Sequence, residues 1–212
     1  MKKNIHVVSC DEKTGIQALE TIAPTKPAAP GQIEKREFEY VRHGTTCLIT
    51  NLEVSTGKVI APTLSPTRTE VDFVEHVKNT VATDSKAGWV FVVDQLNTHM
   101  SEGLVNLVAS LCEIKCALGK KGESGVMKSM ASRQQFLAAQ THRIRFVYTP
   151  KHCSWMNQVE IWFSILSKKL LKRSSFVSIA QLHEKMLAFI LYFNAVMSKP
   201  FRWTYDGIPL RR

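Results

Sequence analysis

Three carboxylates in this 212-residue chain stand where they could do chemistry: Asp11, Asp94 and Glu160. Asp11 closes the apolar run Ile5-His6-Val7-Val8-Ser9-Cys10, and Asp94 closes Trp89-Val90-Phe91-Val92-Val93. The second run is apolar at every position, as a central parallel strand is when helices cover both faces of a sheet. If the two strands lie parallel and adjacent, their aspartates meet at the carboxyl edge, where open α/β sheets place their sites. Glu160 sits early in a predicted helix whose closing of the third side would complete the set. Three hard oxygen ligands on a basic surface suit Mg²⁺ or Mn²⁺, which keep several waters and take the rest of their shell from phosphate. Two such ions, roughly 3.5 to 4 Å apart, are the arrangement for cutting a phosphodiester. Asp11 and Asp94 would hold one ion between them, and Glu160 would complete the second site. Alone, a helical Glu reads as a solvated acid favoured by the helix dipole; the two aspartates change that reading.

The elements that must position these acids follow from periodicity. Trp155, Val159, Trp162, Leu166 and Leu170 recur three and four apart, which predicts a helix capped by Ser154, with Asn157, Glu160 and Ser164 on one polar line. The tryptophans read as core anchors. Asp11 is expected to end its strand, with Lys13-Thr14-Gly15 as a turn, and the prolines of 23–31 mark a surface loop. Residues 45–54 and 59–64, joined by Ser55-Thr56-Gly57-Lys58, read as a β-hairpin. Thr69-Glu70-Val71-Asp72 opens a helix with the stripe Phe73, Val74, Val77 and Val81. A helix capped by Ser101, a short helix over 133–140, the strand Ile144-Arg145-Phe146-Val147-Tyr148 and a last helix over 179–197 complete the order. Residues 116–132, rich in Gly, Lys and Ser, lack the full phosphate-loop pattern and read as a mobile stretch. The sum is one mixed α/β domain, 1–212, with antiparallel first strands and helices on both faces of the sheet.

Composition narrows the class. A formal charge of +10 and a pI near 9.5 favour polyanions, above all nucleic acid. Lys168, Lys169, Lys172 and Arg173 follow Glu160 and are the expected DNA-binding residues; Lys199, Arg202, Arg211 and Arg212 crowd the far end. Five scattered cysteines argue for reduced core thiols rather than a disulfide framework. Cys10, Cys153, His6 and His152 match no standard zinc spacing. No signal peptide or membrane span is visible, so the expectation is a cytoplasmic protein with no membrane partner.

Four motifs occur in order: Asp11-Glu12; Tyr40-Val41-Arg42-His43-Gly44-Thr45; Asp94-Gln95-Leu96-Asn97-Thr98-His99; and Thr149-Pro150 through Ser154-Trp155-Met156-Asn157-Gln158-Val159-Glu160. Together they resemble the catalytic domain of bacterial insertion-sequence transposases of the mariner-allied DDE superfamily, and the likeness runs to Lys199-Pro200-Phe201-Arg202-Trp203-Thr204. It implies a ribonuclease H-like fold, a DDE triad at Asp11, Asp94 and Glu160, and Mg²⁺ or Mn²⁺ as cofactor. It further implies DNA partners (element ends and target), cut-and-paste transposition into a TA dinucleotide and room for a homodimer. Asn97, His99, His152 and Asn157 flank the triad as supporting residues; the histidines could touch phosphate or orient a water, or be polar surface. Two departures stand out. Between Asp94 and Glu160 lie 65 residues, where the family's usual gap is near half that, so 116–142 reads as an insertion. The helix-turn-helix region that reads element ends is also expected to be missing, supplied by a separate reading frame or lost from a fragment or relic. An inactive DNA-binding descendant and a general ribonuclease H-like nuclease remain the alternatives.

Overall fold

The computed structural model describes residues 4–35, 37–150, 153 and 156–200; the expectations placed on His152, Ser154, Trp155, Arg202, Arg211 and Arg212 fall outside them. The elements are β1 (Ile5–Thr21), β2 (Tyr40–Glu53), β3 (Val59–Ser65), α1 (Glu70–Ala82), β4 (Gly88–Val93), α2 (Glu102–Leu111), α3 (Met130–Leu137), β5 (Ile144–Tyr148), α4 (Val159–Lys169) and α5 (Ile179–Tyr192). They build a five-stranded sheet ordered β3-β2-β1-β4-β5. β1, β2 and β3 pair antiparallel, whereas β1–β4 and β4–β5 pair parallel. This is the mixed sheet with antiparallel first strands that the patterning predicts.

β1 runs well past Asp11, where a turn was expected. Lys13-Thr14-Gly15 is absorbed as a bulge: the register against β2 shifts between Lys13 and Ile16, and Gly15 takes a φ of 65°. A bulge leaves an extra residue unpaired and bends the strand without ending it, and glycine enters the left-handed region without a Cβ clash. Past the bulge, Ile16 and Ala18 are buried and carry the strand on to Thr21.

Alternation along the strands divides the core in two. Val8 and Cys10, with Trp89, Phe91, Val93 and Phe146, face α1, α2 and α3. Ile16, Ala18, Leu48, Leu52 and Val59 face α4 and α5. α1 starts as predicted, with a Thr69–Asp72 capping box and Phe73, Val77 and Val81 buried. All five cysteines are free, but Cys116 is exposed rather than in the core, and α2 stops short of it. No helix among the described residues is long and apolar enough to cross a membrane.

The stretch expected to be mobile packs on the core at its far end. Met127 is 2% exposed and Leu137 fully buried, both in the core beneath α2. Met127 N–H donates to Leu118 O at 3.0 Å and Gly122 N–H to Met127 O at 3.2 Å, closing the loop on itself. Arg133 then ties α3 down, its Nε donating to Met100 O at 2.7 Å. Composition hid this because the anchoring is done by a few apolar residues set among polar ones. The two parts are expected to respond differently in urea denaturation. A Gly-Ser linker in place of 119–125 should cost little, since closure entropy varies only logarithmically with length. Met127→Ala should cost about 2–4 kcal/mol by emptying a core position.

Candidate active site

The parallel register of β1 and β4 ends with Ser9 opposite Val92. Carried two residues further, it sets Asp11 beside Asp94 on the face that Ser9 shares, the face covered by α4. Asp94 lies just past the end of β4; Asp11 lies within β1, at the point where its parallel partner has run out. Adjacency here comes from strand order, not from both acids ending their strands.

Asp11 is 7% exposed. Its Oδ1 accepts from Glu12 N–H at 2.8 Å and its Oδ2 from Asn157 Nδ2 at 3.0 Å. Asn157 does not share a helical line with Glu160, as the sequence spacing suggested. The helix begins later, at Val159, and Asn157 sits fully buried in the segment leading into it. There Nδ2 also donates to Cys10 O at 2.9 Å, Oδ1 accepts from Ser9 Oγ, and Ser9 Oγ accepts from Val159 N–H at 2.9 Å. Ser9 and Asn157 therefore lock the first turn of α4 to β1. That lock brings Glu160, exposed in the same turn, toward the aspartates.

Electrostatics register the convergence. Burial pushes the Asp11 carboxyl up to about 7; the Glu12 N–H opposes the rise, and the charges of Glu12, Asp94 and Glu160 add to it. Asp94 is displaced the other way, held below the usual range chiefly by its hydrogen bond from His99, against partial burial. His99 is fully buried and does not reach outward to phosphate. Its Nδ1 lies 2.8 Å from Asp94 Oδ1 and its Nε2 lies 3.1 Å from Glu12 Oε1. Two carboxylates on two ring nitrogens require two N–H donors, the imidazolium. Burial alone would lower the His99 pKa, but the bonds to Asp94 and Glu12 outweigh it and carry it to about 9. Phe73 packs on the ring with centroids 4.3 Å apart, and Tyr148 Oη donates to His99 O at 2.8 Å.

Beside Asp94 opens a cleft of about 620 Å³, with exposed Asn97 on its rim and Met130 and Gln134 of α3 and Pro150 in its walls. Lys168 and Lys169 end α4 exposed, while Lys172 and Arg173 lie in the short 3-10 turn that follows, not on the same helix. None of the four has a carboxylate partner in an ion pair among the described residues.

The donor set fits a hard divalent cation. Asp94 Oδ1 is occupied by His99 and by Leu96 N–H at 2.9 Å, which leaves Oδ2 without a protein partner among the described residues. Asp11 carries more neighbouring negative charge than its surroundings balance, the deficit that a cation supplies. No group of three or more His, Cys, Asp or Glu among the described residues forms a ready cage. An open arrangement is what an ion needs when it keeps waters and shares substrate phosphate oxygens.

A family model for DDE superfamily endonucleases matches residues 6–183. The chain belongs to this family. The strand order and helix placement of the chain are those of the ribonuclease H-like fold, and solved structures carry the same architecture. The Mos1 mariner paired-end complex with Mn superposes at a TM-score of 0.55 and 13% identity, over 93% of this chain and 49% of that one. A Mos1 transposase paired-end complex with left transposon end gives 0.53 and 12%, with the same coverage. This chain thus spans about half the length of those chains. No curated protein matches it.

Glu12, Ser9 and Tyr148 were given no role by the spacing of motifs. Glu12 adjoins Asp11, so alternation alone directs it to the face opposite Asp11; only the path of the 97–100 turn shows what it meets.

Proposed function

We propose that this DDE endonuclease is the catalytic domain of a transposase that cuts DNA and joins the freed end to a target, with Asp11, Asp94 and Glu160 as its acidic triad. What supports the reading is the electrostatic coupling of the three acids: Asp94 and Glu160 lie near enough to Asp11 that their charges help raise its pKa. Asp11 and Asp94 would share one Mg²⁺ or Mn²⁺ and Glu160 would bind a second; such ions supply Lewis-acid activation and neutralise charge building on phosphate oxygens. The chain's own contribution is geometry. Ser9 and Asn157 set Asp11 against the first turn of α4, and His99 keeps Asp94 ionised and aimed. The open cleft beside Asp94 gives a strand room to approach.

Incubation of the chain with labelled DNA carrying a pre-cut end, with and without Mn²⁺, is the test. Metal-dependent nicking with strand-transfer product supports the transposase. Nicking alone would reduce it to a nuclease, and binding without either would make it an inactive descendant.

DNA should be held through phosphates by the exposed cations after Glu160, which fix position without reading sequence. Replacing Lys168, Lys169, Lys172 and Arg173 with alanine should weaken binding about equally for all sequences. The slope of log affinity against log salt should flatten by up to about 3–4, as fewer counterions are released. A titration at several salt concentrations checks this; an unchanged slope would place the DNA elsewhere.

A further inference from the structure

Glu12 is the least expected charge in the molecule. Its side chain is 2% exposed and lies against His99. Its one ionic contact among the described residues is His99, at 3.1 Å from Oε1 to Nε2, and the other ring nitrogen is shared by Asp94 Oδ1 at 2.8 Å and the Asp94 main-chain oxygen at 3.2 Å. The His99 ring has little freedom besides: Phe73 packs against it at a tilt of 40°, and its main-chain oxygen is taken by Tyr148. A carboxylate with one oxygen held and the other free presents a single defined lone-pair direction. The line Glu12, His99, Asp94 therefore runs from an interior strand position to the rim of the site.

We propose that Glu12 is a positioning residue: through His99 it fixes the Asp94 carboxylate so that Oδ2 is offered to a divalent cation. The inference rests on the reading of Asp94 as a metal ligand. Groups that orient a ligand from behind commonly change metal affinity or activity by about 10–100-fold when removed. Orientation, not charge, is the claim, and substitutions at position 12 can separate the two. Glu12→Asp keeps the charge and loses the reach. Glu12→Met keeps the volume and loses the acceptor, and Glu12→Gln loses the charge but keeps an oxygen able to accept from Nε2.

The experiment titrates Mn²⁺ into the full chain without DNA, following free ion by electron paramagnetic resonance, with circular dichroism to verify folding. Glu12→Asp and Glu12→Met should each raise the Mn²⁺ dissociation constant about 10-fold or more, with Glu12→Gln near the parent. In cleavage assays the first two should need correspondingly more metal to reach half-maximal rate. The inference is overturned if Glu12→Asp binds as the parent does, if Glu12→Gln fails as badly as Glu12→Met, or if both disruptive variants lose the native spectrum. Asp94→Asn is the control for the underlying reading. Affinity lost there but kept in the Glu12 variants refutes the positioning role alone; affinity kept in both refutes the metal-ligand assignment with it.

Discussion

Asp94→Asn is expected to lower metal-dependent cleavage more than about 100-fold, since even the partners standing behind metal ligands change activity by about 10–100-fold. The substitution removes one negative ligand at nearly constant volume. Its amide oxygen can still accept from Leu96 N–H and from His99, so the loop after β4 should keep its shape. Glu160→Gln is the cleaner companion. Glu160 is exposed in the first turn of α4, and a surface exchange of this kind changes stability by no more than about 0.5 kcal/mol. Activity and stability should separate: cleavage lost, melting temperature near the parent's. Near-normal cleavage by Asp94→Asn would end the triad assignment. A Glu160→Gln variant that keeps its activity would return Glu160 to the role of a solvated helix acid.

Trp162→Ala should have the largest effect on stability, about 3–5 kcal/mol for removing a buried tryptophan, or roughly 10 °C in melting temperature for a domain of this size. Trp162 is 1% exposed and forms the contact between α4 and the second core, with Phe163 and Phe193 rings 5.7 and 6.1 Å away. Because α4 carries Glu160, loosening this contact should also depress cleavage before the chain unfolds. Trp162→Phe serves as the comparison. The indole Nε1 is buried and has no hydrogen-bond partner among the described residues, so losing it should cost only the smaller volume change. A loss under about 1 kcal/mol for Trp162→Ala, measured by urea denaturation, would show that α4 is held by its Ser9–Asn157 lock rather than by its apolar face.

How far the site was legible depends on which kind of pattern carried it. Strands, helices and their faces come from periodicity, which is local: the apolar run of β4, the Thr69–Asp72 cap and the Trp162 stripe were all readable, and so were Asp94 at the end of β4 and Glu160 early in α4, whereas Asp11, read as a strand end, lies inside β1. The motif order also pointed to the family. Other features depended on contacts between distant residues. Whether Lys13-Thr14-Gly15 turned the chain or bulged within it depended on β2 lying alongside to keep the pairing going. Asn157 looked helical because its spacing from Glu160 is helical, yet Ser9, 148 positions earlier, draws it out of the helix and onto β1. His99 looked like loop surface because polar neighbours surround it in sequence, whereas the fold closes Glu12, Asp94 and Phe73 over it. A sequence states which groups can pair; burial decides which of them must, because an ionised side chain withdrawn from water is stable only beside the partner that the fold brings to it.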